Sequence, residues 1–117
     1  MDKTLEILKA ISDRSRLRIL MLLYIRPLCV CEIQDVMQIT ISTVSKHLSI
    51  LKNVGLVSDE KDGKWVNYFL NKDTQDTILQ QVVLMLPMWL SGDREIENDK
   101  MKVINVDRIQ ICSTNLA

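Results

Sequence analysis

Residues 40–55, TISTVSKHLSILKNVG, decide the fold. Thr40 can offer its hydroxyl to the unsatisfied N–H groups of a helix start. Val44, Leu48 and Leu51 recur at spacings of four and three, which marks one inward stripe on a helix over 41–54. Gly55 suits the position just past a helix end, where left-handed backbone is wanted. What remains outside is Ser42, Thr43, Ser45, Lys46, Ser49 and Asn53, short or basic and without a carboxylate. Small hydroxyls let a helix enter the major groove of duplex DNA and reach bases or phosphates. Lys46 supplies positive charge there, and His47 a hydrogen bond to a phosphate. A solvated surface helix is the plain alternative, so the flanking segments carry weight.

Upstream, Pro27 closes one helix, and LCVC (28–31) leads into a short helix, EIQDVMQ. A short helix, a turn and the 41–54 helix make a helix-turn-helix. Downstream, LVSDEK and KWVNYFL are strand-like and are joined through Asp62-Gly63, a pair suited to a type I′ turn. A hairpin after a helix-turn-helix is a wing, and Lys61 and Lys64 flank its tip. From 42 to 72, Lys46, Lys52, Lys61, Lys64 and Lys72 stand against Asp59, Glu60 and Asp62, a modest basic excess.

Farther out, Leu5, Leu8 and Ile11 give a helix over 3–11. Ser12 or Asp13 caps the next helix, over 14–25, with Leu17, Leu20, Met21 and Tyr24 on one face. Residues 73–90 read as helix, with Asp73 near the start and Pro87 ending or kinking it. Ile78, Leu79, Val82, Val83, Met85, Leu86, Trp89 and Leu90 are too many apolar residues for one face, so this helix needs a second partner surface. The fold class is mainly α with a small β-hairpin, in the order α-α-α-α-β-β-α. Residues 1–92 form the winged helix-turn-helix domain. Residues 93–117 form a charged tail in which KVINV and RIQIC have β character.

The chain has 117 residues, 47% hydrophobic, with few Gly and Pro, which fits one folded domain. Its net charge is zero, so any DNA binding rests on local placement of Lys and Arg. The first ten residues are too charged for a signal peptide, and the apolar run 78–90 is too short and interrupted to span a bilayer. Three cysteines are no disulfide scaffold and fit a reducing, cytoplasmic setting. Cys29 and Cys31, one residue apart, can converge on one soft ion, while a disulfide within the pair would be a strained small ring. The positive end of a helix beside Cys31 favours thiolate, the form that binds metals. Small buried thiols with no further role are the plain alternative.

Four stretches in this order, ISDRSRLRILMLL, LCVCEIQDVM, ISTVSKHLSILKNVGLV and GKWVNYFL, resemble the ArsR/SmtB family of winged-helix metal-sensing repressors over about residues 3–90. The resemblance implies a homodimer through the first and last helices. It implies binding to an imperfect inverted repeat in promoter DNA, and release on binding an inducer. By position, Ser42, Thr43, Ser45, Lys46 and His47 match the family's recognition helix, Asp62, Gly63 and Lys64 its wing tip, and Cys29 and Cys31 its metal-binding box. Zinc or nickel relatives carry His and carboxylates on the last helix, where this chain has Asp73 and Asp76 but no His. Three Cys and a single His suit trivalent arsenic or antimony, with cadmium or lead as the nearest rival and thiol-redox sensing as another. Arsenic-responsive relatives often have a third Cys where this chain has Gln34, so Cys112 of either subunit is the candidate third ligand, a cellular thiol or water being the alternative. Pro27 also replaces an acidic residue usual in the box. An enzyme with a reactive Cys would want a base near the thiol, and the one His sits on the 41–54 helix.

Overall fold

The computed structural model describes residues 1–106. Four helices come first: α1 (Asp2–Ile11), α2 (Arg14–Leu23), α3 (Val30–Met37) and α4 (Ile41–Asn53). A hairpin of β1 (Val57–Asp62) and β2 (Trp65–Leu70) follows, then α5 (Thr77–Trp89) and α6 (Arg94–Ile104). This is a winged helix-turn-helix with one helix more than the sequence pattern suggests.

The caps explain the boundaries. Asp13 accepts from the Arg16 N–H at 3.0 Å and starts α2. Thr40 accepts from the Thr43 N–H at 3.2 Å and starts α4. At the other end of α4, the Gly55 N–H reaches the Lys52 carbonyl and the Leu56 N–H the Leu51 carbonyl, with Gly55 at φ +90°. That pair of bonds is a Schellman motif, and it satisfies carbonyls that the helix cannot.

Three expectations are corrected. The helix placed over 73–90 starts at Thr77, because Asp76 rather than Asp73 accepts from the N–H groups of Ile78 and Leu79 at 2.9 and 3.1 Å. Of the two roles expected for Pro87, ending the helix is overturned, since α5 continues two residues past it. The hairpin register pairs Asp62 with Trp65, so the two loop residues are Gly63 and Lys64. Only Gly63 has positive φ, at +61°, which is the pattern of a type II′ turn rather than type I′.

The β character of residues 102–106 gives way to the end of α6. Asp93 caps that helix by accepting from the Ile96 N–H, and Ile96, Asp99 and Val103 form its buried stripe against α2 and α3. Asp99 is held there by Arg18 through two bonds of 2.8 and 2.9 Å. The stretch RIQIC lies outside the described residues.

The main core joins Ile7 and Ala10 of α1, Ile19 to Leu23 of α2, Leu28, and Ile33 and Val36 of α3. Val44, Leu48 and Leu51 of α4 enter it from the other side, as their spacing predicts. Leu5 and Leu8, by contrast, lie outside it. On α5, Leu79, Val82 and Leu86 face in, whereas Leu84, Met88 and Trp89 are 71%, 68% and 58% exposed. No helix among the described residues is long and apolar enough to cross a membrane.

Candidate nucleic-acid interface and thiol pair

On α4, Ser42, Thr43 and Lys46 are exposed, while Ser45 and His47 are half-buried. The hydroxyls at its start form a cluster: Thr40 Oγ1 lies 3.2 Å from Ser42 Oγ and 2.7 Å from Thr43 Oγ1. They stand at the N-terminal end of the helix, where the unsatisfied N–H groups also favour an anion. Lys61 and Lys64 are exposed at the far end of the hairpin. Lys52, by contrast, is spent on Asp59, 2.9 Å away on β1, which pins α4 to the wing.

His47 is less exposed than its place in the sequence suggests. Its Nδ1 lies 3.2 Å from an Arg16 guanidinium nitrogen. Since Arg16 can only donate, Nδ1 accepts and Nε2 carries the proton of the neutral ring. Burial pushes the His47 pKa down, with the Arg16 and Lys46 charges acting the same way and Asp13 opposing. Arg16 also donates to the carbonyls of Ala10 at 2.6 Å and Lys9 at 3.2 Å. One guanidinium therefore joins the end of α1, the start of α2 and α4. The sequence offered no signal for that role.

Cys29 and Cys31 come together at the start of α3. They are 3% and 8% exposed, are not joined in a disulfide, and form a small cluster separate from the main core. Cys29 is the N-cap of α3, and its side chain and that of Glu32 complete a capping box. Glu32 Oε1 accepts from the Cys29 N–H at 3.0 Å. The spacing Cys-x-x-Glu is that of Ser-x-x-Glu with a thiol in the hydroxyl's place, so this feature was legible. Glu32 is buried, and its second oxygen accepts from Arg26 at 2.7 Å. Arg26 also donates to the Val103 carbonyl at 3.3 Å, which brings the last turn of α6 beside the thiol box.

The half-buried ring of Trp65 covers the thiol pair. Two soft sulfur donors in one small cluster suit a soft ion. Among the described residues no group of three or more His, Cys, Asp and Glu side chains converges as a metal site. Cys112 lies outside the described residues.

Residues 13–59 match the family model described as bacterial regulatory protein, arsR family. An uncharacterized HTH-type transcriptional regulator of Methanocaldococcus jannaschii is 40% identical over 82 residues, which is 69% of this chain and 92% of that relative. The cadmium resistance transcriptional regulatory protein CadC of Listeria innocua is 43% identical over 63 residues, 53% of each chain. This chain thus spans about half the length of that regulator. The arsenical resistance operon repressor of Bacillus subtilis is 35% identical over 74 residues, 62% of this chain and 70% of the relative. Among solved structures, reduced HlyU from Vibrio cholerae superposes with a TM-score of 0.65 at 28% identity, over 78% of this chain and 92% of HlyU.

Proposed function

The chain belongs to the arsR family of DNA-binding transcriptional regulators, and on that premise we propose that it is a homodimeric repressor whose operator is released when trivalent arsenic or antimony binds Cys29 and Cys31. The observation that carries this reading is the pairing of two buried cysteines in one small cluster at the start of α3, the helix packed directly against α4. Ser42, Thr43, Ser45 and Lys46 meet the major groove, and Lys61 and Lys64 meet the backbone beside it. His47, turned toward Arg16 through Nδ1, has its Nε2–H left to donate.

The dimer forms through α1 and α5. Leu5 and Leu8 on the first, and Leu84, Met88 and Trp89 on the second, are large apolar residues left outside the monomer core. Large apolar residues left exposed on two helices are what a subunit contact would cover. Two recognition helices related by a twofold axis then read an inverted repeat, with half-sites about one DNA turn apart. Residues 1–92 supply both surfaces, and α6 braces them.

The sulfurs of Cys29 and Cys31 hold the inducer as two thiolates. Cys112, of the same or the other subunit, is the candidate third donor, with a cellular thiol or water as the alternative. Arg26 ties α6 to the thiol box. Drawing the pair onto one ion disturbs the N-cap of α3, and α4 loses its alignment. Similarity to the cadmium regulator favours cadmium as a second inducer.

The test is fluorescence anisotropy with duplex fragments of the protein's own promoter region, with and without arsenite, antimonite, cadmium or peroxide. Cys29→Ser and Cys31→Ser are expected to bind DNA as wild type does and to hold it when arsenite is added. Release by arsenite from both variants would remove the assignment of the thiol pair. Cys112→Ser separates the roles of the third thiol.

A further inference from the structure

The thiol box is joined to the wing as well as to α4. Leu28, the residue before Cys29, pairs with Tyr68 of β2 through two backbone bonds of 3.0 and 2.8 Å. Three residues earlier on the same strand, Trp65 packs its ring on Cys29 and Cys31. The Lys64 ammonium stands over that ring, 4.9 Å from its centroid. A continuous path therefore runs from the two sulfurs through the indole to the wing tip.

The walls around the sulfurs differ in stiffness. Leu28 and Glu32 are fully buried, and Glu32 is held by the Cys29 N–H and by Arg26. Trp65 is only half-buried and belongs to a two-stranded ribbon, a kind of element with marginal stability of its own. Packed interiors leave no room for an added atom without displacement of a neighbour. The neighbour that can yield is the indole.

We propose that Trp65 is the positioning residue that couples the thiol pair to the wing. Occupation of Cys29 and Cys31 lifts the indole, and the wing swings about the Leu28–Tyr68 bridge. The Lys64 ammonium is carried away from the DNA backbone. This deepens the reading of the thiols as an inducer site and rests on it. Recognition helix and wing, already tied by Lys52 and Asp59, then lose their alignment together.

Three measurements test it: arsenite-dependent release of promoter DNA, tryptophan emission, and the rate of thiol alkylation by iodoacetamide without any metal. Trp65→Ala is expected to bind arsenite as wild type does and to have faster-alkylating thiols. Ordinary allosteric couplings change affinity roughly 5- to 150-fold, and the release factor should fall below about threefold in Trp65→Ala. Trp65→Phe, which keeps an aromatic lid and guards against a folding failure, should retain most of the release. Arsenite should change the emission of wild type but not of Trp65→Phe, in which Trp89 is the remaining tryptophan. Full release from Trp65→Ala, or unchanged wild-type emission while DNA is released, overturns the coupling and leaves the thiol assignment standing. Wild-type DNA binding that ignores both arsenite and cadmium overturns the thiol assignment and the coupling with it.

Discussion

The hydroxyl of Tyr24 donates to the carbonyl oxygen of Val83, the residue four before Pro87. In an unbroken helix that carbonyl would accept from the N–H at position 87, and proline has none. Tyr24 fills the vacancy from α2, so α5 keeps its last turn. Burial in the same place pushes the Tyr24 pKa up to about 12.

Tyr24→Phe should therefore remove the Val83 carbonyl's partner and cost about 1 kcal/mol in urea unfolding, the net worth of a typical hydrogen bond, since this one is part-buried. Pro87→Ala restores the helical donor. In the double variant the loss from Tyr24→Phe should shrink markedly, and equal losses in both backgrounds would show that the hydroxyl acts elsewhere.

His47 makes stability depend on pH near neutrality. Its folded pKa lies below the ordinary 6.5, first because of burial and then because Arg16 and Lys46 face it, Asp13 opposing. The unfolded chain then binds more protons than the folded one in this range, so stability rises with pH. The contribution is complete above 6.5 and is lost as pH falls through the depressed folded value. Thermal melts from about pH 7.5 to about pH 5 should slope more steeply for wild type than for His47→Gln. Parallel slopes would contradict this.

Gly55→Ala combines two penalties. The backbone is at φ +90°, and an added Cβ would sit 3.0 Å from Leu79 Cδ1 on α5. Gly92→Ala has a similar φ, +80°, but open space around it. The first should cost more than about 1 kcal/mol and exceed the second, because only it adds a clash to the strain. Comparison of their urea midpoints checks the ranking.

Lys46→Ala tests the electrostatic part of DNA binding. Each phosphate contact contributes about 0.9 to the slope of log K against log salt. Loss of Lys46 should lower that slope by roughly this amount and weaken operator and random duplexes alike. An unchanged slope in anisotropy titrations would place Lys46 off the DNA.

Asp99→Ala should leave Arg18 facing α6 without its partner. Breaking a buried ion pair by removing one member typically costs about 3–5 kcal/mol. Arg18 keeps Glu95 at 3.9 Å and some solvent, which places the loss at the low end. A melt indistinguishable from wild type would show that α6 needs no such anchor.

Local patterns in the sequence determined the winged helix itself. Caps and periodicity act within a few residues of chain, so Asp13, Thr40, Gly55 and the stripe Val44, Leu48, Leu51 could be read without tertiary information. The nearness of Cys29 and Cys31 to a helix start is equally local. Tertiary structure alone decided that Trp65 lies on those thiols, that Arg16 turns His47 inward, and that Tyr24 serves a carbonyl 59 residues away. It also made α6 a helix with a buried Asp99, where β-branched residues near its end suggested strand. Such contacts join residues far apart along the chain, and no spacing rule encodes which distant surface a side chain will meet when the core closes.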